Sequence, residues 1–246
     1  MKYIGSKNRL SKELAPIIQS YITETIEGYL EPFVGGGNMI DKIKCKVKIG
    51  YDIHKQLIAL LNQAKKDVSV FPETITEEEY NKVKNNREQY EDWYVGLVGF
   101  CASFGANYFD TYARAFKADK VTPRNMSNEA IRNIIKQAPK LQDTIFECKD
   151  FLDIDKDQFK NYVIYCDIPY RNTTKYKTKE FPYEEFYQWC RDMSKDNIVL
   201  ISEYNMPEDF TCIWQKETIV NFASKRENLT RKDKQRIEKL YIYKTN

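Results

Sequence analysis

Asp167, Pro169 and Tyr170 follow directly on the apolar run Tyr162-Val163-Ile164-Tyr165-Cys166, with Ile168 between the acid and the proline. A carboxylate, a backbone carbonyl and a flat aromatic ring delivered together by the end of a buried strand can hold a planar base that carries an exocyclic amino group. The carboxylate and the residue 168 carbonyl accept hydrogen bonds, and the Tyr170 ring offers a stacking face. An ordinary turn is the competing reading, because Asp and Pro both favour turns. The remaining sequence decides between them.

A second polar cluster lies earlier. Tyr29-Leu30 runs into Glu31-Pro32-Phe33-Val34-Gly35-Gly36-Gly37, a strand pattern ending in glycines. Such a turn lets the backbone approach a ligand closely, and a following helix N-terminus favours negative charge. The next strand pattern, Val47-Lys48-Ile49-Gly50-Tyr51, ends at Asp52. An acid in that place can bind ribose hydroxyls. Position 40 is Ile, so G-x-G-x-x-G is absent and a nicotinamide oxidoreductase is disfavoured. An adenosine-containing cofactor is the better expectation.

These clusters need a scaffold. Leu10, Leu14, Ile17, Ile18 and Tyr21 repeat at helical spacing, as do Leu57, Leu60, Leu61 and Ala64. A short helix is expected from Asn38, with that side chain as its cap, and another through Ile131, Ile134, Ile135 and Ala138, capped near Ser127. Thr144–Cys148 reads as a strand ending near Asp150, and the run before Asp167 as the next. Phe186, Trp189, Cys190 and Met193 form a helix pattern, and Ile198-Val199-Leu200-Ile201 a buried strand. Closing strands are expected at 213–221 and 238–243. Strands alternating with helices predict an α/β fold with a parallel sheet.

Residues 66–127 break that alternation. They combine Tyr90, Trp93, Tyr94, Phe100, Phe104, Tyr108, Phe109, Tyr112 and Phe116 with Arg87, Arg114, Lys117, Lys120 and Arg124. The segment reads as an inserted, mostly helical subdomain. Residues 1–65 and 128–246 would then form the main domain, a division that 246 residues accommodate.

Bulk properties exclude several classes. A formal charge of +3 permits an acidic partner without demanding one. Six cysteines show no C-x-x-C spacing and His54 is the only histidine, so a structural zinc site and a histidine-based triad are poorly supported. No signal peptide or long apolar run is visible, which predicts a reduced, intracellular protein with its thiols in the core.

Taken in order, these segments resemble the Dam-type DNA adenine methyltransferases. Lys2-Tyr3-Ile4-Gly5-Ser6-Lys7 resembles the family's opening aromatic-x-G-x-K segment, and Phe33-Val34-Gly35-Gly36-Gly37 its F-x-G-x-G loop. Asp52 matches the ribose-binding acid, and Asp150-Phe151 falls where the cofactor's adenine packs. Asp167-Ile168-Pro169-Tyr170 resembles the D-P-P-Y motif, departing from it at Ile168.

The resemblance implies a Rossmann-like methyltransferase sheet with a DNA-recognition insertion at 66–127. The cofactor it implies is S-adenosylmethionine, contacted by Tyr3, Lys7, Phe33, Gly35, Gly37, Asp52, Asp150, Phe151 and Asp167. Asp167, Pro169 and Tyr170 would act on an adenine flipped out of duplex DNA. Ile168 does not fix φ as Pro does, so some loss of rate or base positioning is expected.

For the duplex, Arg114, Lys117 and Arg124 of the insertion are the expected contacts, with Lys175 from the cationic segment 171–180. Arg231, Lys232 and Lys234 come from a stretch with eight Lys or Arg against three acids over 225–244. The family's GATC-reading N-R-x-x-x-N pattern has no counterpart at 100–109, so that target is not implied. A metal-independent monomer in the cytoplasm of a bacterium or phage-infected cell, with no membrane and in keeping with a paired restriction endonuclease, completes the expectation. The alternatives are a non-catalytic DNA-binding descendant and a glutamine or protein methyltransferase of the N-P-P-Y class. Asp rather than Asn at 167 weighs against the latter.

Overall fold

The computed structural model describes residues 1–116, 118–170, 181–219 and 235–244. Its centre is a seven-stranded sheet of β1 (Gly28–Glu31), β2 (Lys48–Asp52), β5 (Thr144–Cys148), β6 (Tyr162–Asp167), β7 (Ile198–Glu203), β8 (Phe210–Ile219) and β9 (Gln235–Tyr243). β3 (Ala115–Phe116) and β4 (Pro123–Arg124) form a separate antiparallel ribbon. Six α-helices complete the described residues: α1 (Ser11–Ser20), α2 (Lys55–Lys66), α3 (Glu77–Asn85), α4 (Asp92–Cys101), α5 (Met126–Gln137) and α6 (Tyr183–Met193).

The spatial order is β5-β2-β1-β6-β7-β9-β8. From β1 the chain builds outward in one direction through β2 and β5, then returns to place β6 on β1's other side. The pairs β1/β2, β1/β6, β2/β5 and β6/β7 are all parallel, whereas β9 runs antiparallel to β7 and β8. The α/β expectation with a Rossmann-like parallel sheet is met. The strand order reverses between β1 and β6, which makes the carboxyl end of that pair the natural crevice for ligands.

Period-two alternation explains the two cores. Tyr29, Val163, Tyr165 and Leu200 face one layer with α1, α2, α4 and α5, while Leu30, Ile164, Cys166, Val199 and Ile201 face the other with α6. Inner strands covered on both faces read as continuous apolar runs, which is why β6 and β7 were visible in the sequence.

Several local expectations are corrected. Asn125, not Ser127, caps α5, its side chain accepting from the Asn128 N–H at 2.9 Å; Ser127 instead bonds the Ile75 backbone at 3.0 Å. The helix after Asn38 is a single 3₁₀ turn, Ile40–Lys42, without a side-chain cap. The closing strands begin three residues earlier than expected. Cys101, Cys166 and Cys190 are buried as anticipated, but Cys148 and Cys212 are exposed.

The aromatics of 66–127 are mostly structural. Phe71, Tyr80, Phe100 and Phe109 join the same core as α1, α2 and α5, and of the nine aromatics singled out in that segment only Phe104 and Phe116 are exposed. α4 crosses α2 at Gly96, where an added Cβ would stand 2.1 Å from the Gln56 carbonyl oxygen. Overpacking against backbone has no flexible neighbour to absorb it. Gly96→Ala is therefore expected to destabilise the fold by about 1–3 kcal/mol, measured as a lowered midpoint in denaturant unfolding.

Candidate active site at the carboxyl edge of the sheet

The carboxyl ends of β1, β2, β5, β6 and β7 bring the acids of the sequence analysis to one edge. After β1 the chain turns through Gly35 and Gly37, with φ of +49° and +65°, values that L side chains rarely adopt. A Cβ at Gly35 would also stand 2.8 Å from the Tyr3 ring, so Tyr3 packs directly against the glycine turn.

Asp52, at the end of β2, ties this turn to its own strand. One carboxylate oxygen accepts from the Gly35 N–H at 3.1 Å and the other from the His54 N–H at 2.9 Å. Burial raises its pKa to about 6, and those two backbone bonds oppose the shift. Each oxygen keeps further lone pairs for ligand hydroxyls.

Asp167 closes β6. Its Oδ1 lies 2.8 Å from Lys7 Nζ, which reaches in from the N-terminal segment. Burial raises the Asp167 pKa, the Lys7 charge lowers it, and Glu238 raises it again. The same ammonium sits 4.2 Å over the centroid of the Tyr170 ring and 3.9 Å from Glu238 Oε2. Tyr170 donates its hydroxyl to that Glu238 oxygen at 2.8 Å, and Tyr204 meets it edge to face at 4.5 Å. Tyr183 donates to the Pro169 carbonyl at 2.8 Å, bracing the turn against α6.

Ile168, the departure from D-P-P-Y, is buried among the α6-side residues. Its apolar side chain contributes packing at a position where proline would contribute a fixed φ.

The other expected residues distribute as follows. Asp150 caps the 3₁₀ turn after it, accepting from the Leu152 N–H at 3.1 Å. Phe151 is a core ring packed against Phe33, Phe181, Phe186 and Trp189. Arg114 pairs with Glu77 and Arg124 with Glu129, both at the surface. Lys117, Lys175, Arg231, Lys232 and Lys234 lie outside the described residues.

Three residues at this edge were given no role of their own from the sequence. Tyr204 could have been found, since Glu203-Tyr204 ends a buried strand as Asp167 does. Glu31, buried with its pKa pushed well up, takes the Tyr29 hydroxyl at 2.7 Å; an acid two residues from a buried tyrosine on one strand face was the clue. Glu238 carried no local signal. Among the described residues no cluster of three or more potential metal ligands occurs, and no helix is long and apolar enough to cross a membrane.

Comparison with known proteins gives one family match and a distant structural likeness. The sequence profile of the D12 class N6 adenine-specific DNA methyltransferases matches residues 3–95 and 93–228. No curated protein matches the chain. Among solved structures, a proposed methyltransferase from Thermoplasma acidophilum is similar at 13% identity and a TM-score of 0.34, over 90% of this chain and 70% of that one.

The Lys7–Asp167 pair yields a prediction about stability. Removing the ammonium leaves a largely buried carboxylate without its cation. Lys7→Met is expected to cost about 1–3 kcal/mol at pH 7. Asp167 then has a folded pKa raised still further, so its protonated form is the one the fold favours. The loss should therefore shrink as pH falls through that raised pKa, as read from unfolding midpoints across a pH series.

Proposed function

The chain belongs to the D12 class N6 adenine-specific DNA methyltransferase family, and from that premise we propose that it methylates the exocyclic amino group of an adenine flipped out of duplex DNA, with S-adenosylmethionine as donor. The observation that carries the reading is the meeting of two half-sites at the β1/β6 crevice. The glycine turn locked to Asp52 stands on one strand side, and Asp167 with Tyr170 on the other.

The cofactor half fits its group by donor chemistry. Asp52 is a half-buried carboxylate with lone pairs left after two backbone bonds, suited to a ribose diol. Gly35 and Gly37 keep the turn free of side chains, and Tyr3 lines it. When bound, S-adenosylmethionine supplies a sulfonium-activated methyl group.

The protein's part is to prepare the acceptor. An adenine amino nitrogen is a weak nucleophile because its lone pair is delocalised into the ring. Asp167 in its ionised form and the Ile168 carbonyl would each accept one amino hydrogen and localise that pair. Tyr170 would stack on the base, a contact worth about 1–3 kcal/mol. Holding donor and acceptor in line supplies much of the remaining rate.

For the duplex, the β3–β4 ribbon is the favoured reader. It raises Phe116 and nearby Val121, 61% and 77% exposed, beside the cations Arg114 and Arg124. Apolar wedges with flanking cations suit a bent or opened duplex. Residues 66–127 would then serve target recognition, and Lys117, Lys175, Arg231, Lys232 and Lys234 would contact the phosphates.

Incubating the protein with labelled S-adenosylmethionine and mixed-sequence duplex DNA, then mapping modified bases, tests the function. Transfer to adenine is expected, and Asp167→Ala should abolish it while the chain stays folded, as its circular dichroism spectrum would show. Cofactor binding without transfer to any DNA would instead favour a DNA-binding descendant.

A separate outcome concerns pH. If ionised Asp52 accepts the ribose hydroxyls, cofactor affinity should fall as pH drops through about 6, where that carboxylate becomes protonated. Calorimetric titration from pH 5 to 8 should show this, and Asp52→Ala should bind weakly with no such dependence.

A further inference from the structure

We propose that Glu238 is a positioning residue of the transfer site, receiving the Lys7 ammonium when an adenine takes its place on Asp167 and Tyr170. The inference rests on the function proposed above and deepens it. One ammonium now makes both contacts that the flipped base needs. It is 2.8 Å from Asp167 Oδ1 and 4.2 Å over the Tyr170 ring. A base that bonds Asp167 and stacks on that face of Tyr170 requires the volume Lys7 occupies.

A displaced cation in a largely buried site needs another anion nearby, because burying a charge without a partner is costly. Glu238 is that anion. Its Oε2 is already 3.9 Å from Lys7 Nζ, so the ammonium closes on an ordinary ion pair with it as it leaves Asp167. The remaining described neighbours offer less. Tyr204 is uncharged, and Glu203, almost fully buried, turns one oxygen to the Tyr204 N–H at 2.6 Å.

The carboxylate is held for this role. The Tyr170 hydroxyl fixes the same oxygen at 2.8 Å, and Glu238 stands on β9, opposite Lys216 of β8 and one step beyond the Glu203–Lys239 pair. A side chain on a paired strand is placed more rigidly than one on a loop. Lys7, Tyr170 and Glu238 thus form one unit, in which the stacking ring stays anchored while the cation moves.

Glu238→Gln isolates the charge, since the amide oxygen can still accept from Tyr170. The measurement is the preference for a duplex carrying a mismatched adenine, which flips at low cost, over the same duplex fully paired. In the native chain Glu238→Gln should lower that preference about tenfold. In a Lys7→Gln background, with no cation to receive, it should change by less than about twofold.

An equal loss in both backgrounds would mark Glu238 as merely structural and overturn the proposal. So would an unchanged preference in the native background, or no preference in the native chain. Methyl transfer by the native chain is assayed in parallel. Its absence counts against the proposed function, whereas transfer together with an additive cycle counts against Glu238 alone.

Discussion

Parallel pairing of β6 with β1 is the constraint on which the rest of this molecule depends. Parallel strands in one sheet present all their carboxyl ends at the same edge, so residues separated by long stretches of chain become neighbours without any contact of their own to bring them there. Gly28–Leu30 pairs with Tyr162–Ile164. That register sets the glycine turn after Glu31 beside Asp167, and β2 adds Asp52 to the same edge. The antiparallel β9 adds something the parallel strands cannot. Its amino-terminal half runs back to this edge and brings Glu238 with it.

Concentrating acids at a buried edge has an electrostatic cost, which the fold meets differently at each one. Asp52 is compensated by backbone N–H groups, a neutral solution that leaves it titrating near pH 6 and open to hydroxyl donors. Asp167 is compensated by a full positive charge, which favours the ionised form needed in an acceptor. Glu31 accepts the Tyr29 hydroxyl, a neutral partner, and burial drives its carboxyl well up. Three acids within one crevice thus acquire three chemical characters from their surroundings alone.

The segment between α2 and α5 shows how packing overrides composition. Its aromatics and cations together suggested a recognition surface, yet Tyr80, Phe100 and Phe109 turn inward against the main core. Gly96 permits α4 to approach α2 closely enough for that sharing. What projects is small: the two-residue strands β3 and β4 and the residues around them. Strands of two residues are too short to show alternation, so the ribbon left no trace in the pattern.

The sequence by itself determined the elements whose burial is uniform and the motifs that end them. Apolar runs on strands covered from both sides mark β6 and β7, helical spacing marks α2, α5 and α6, and Gly35, Asp52 and Asp167 lie where those patterns stop. These are local properties, readable from neighbours in the chain. The tertiary structure alone decided which groups meet. Lys7 is near the N-terminal end of the chain and Glu238 near its other end, yet they converge on Asp167 and Tyr170. Glu238 lies between Ile237 and Lys239 on a strand with no motif around it. Its significance arises from an antiparallel register, a relation between distant segments that no local pattern encodes.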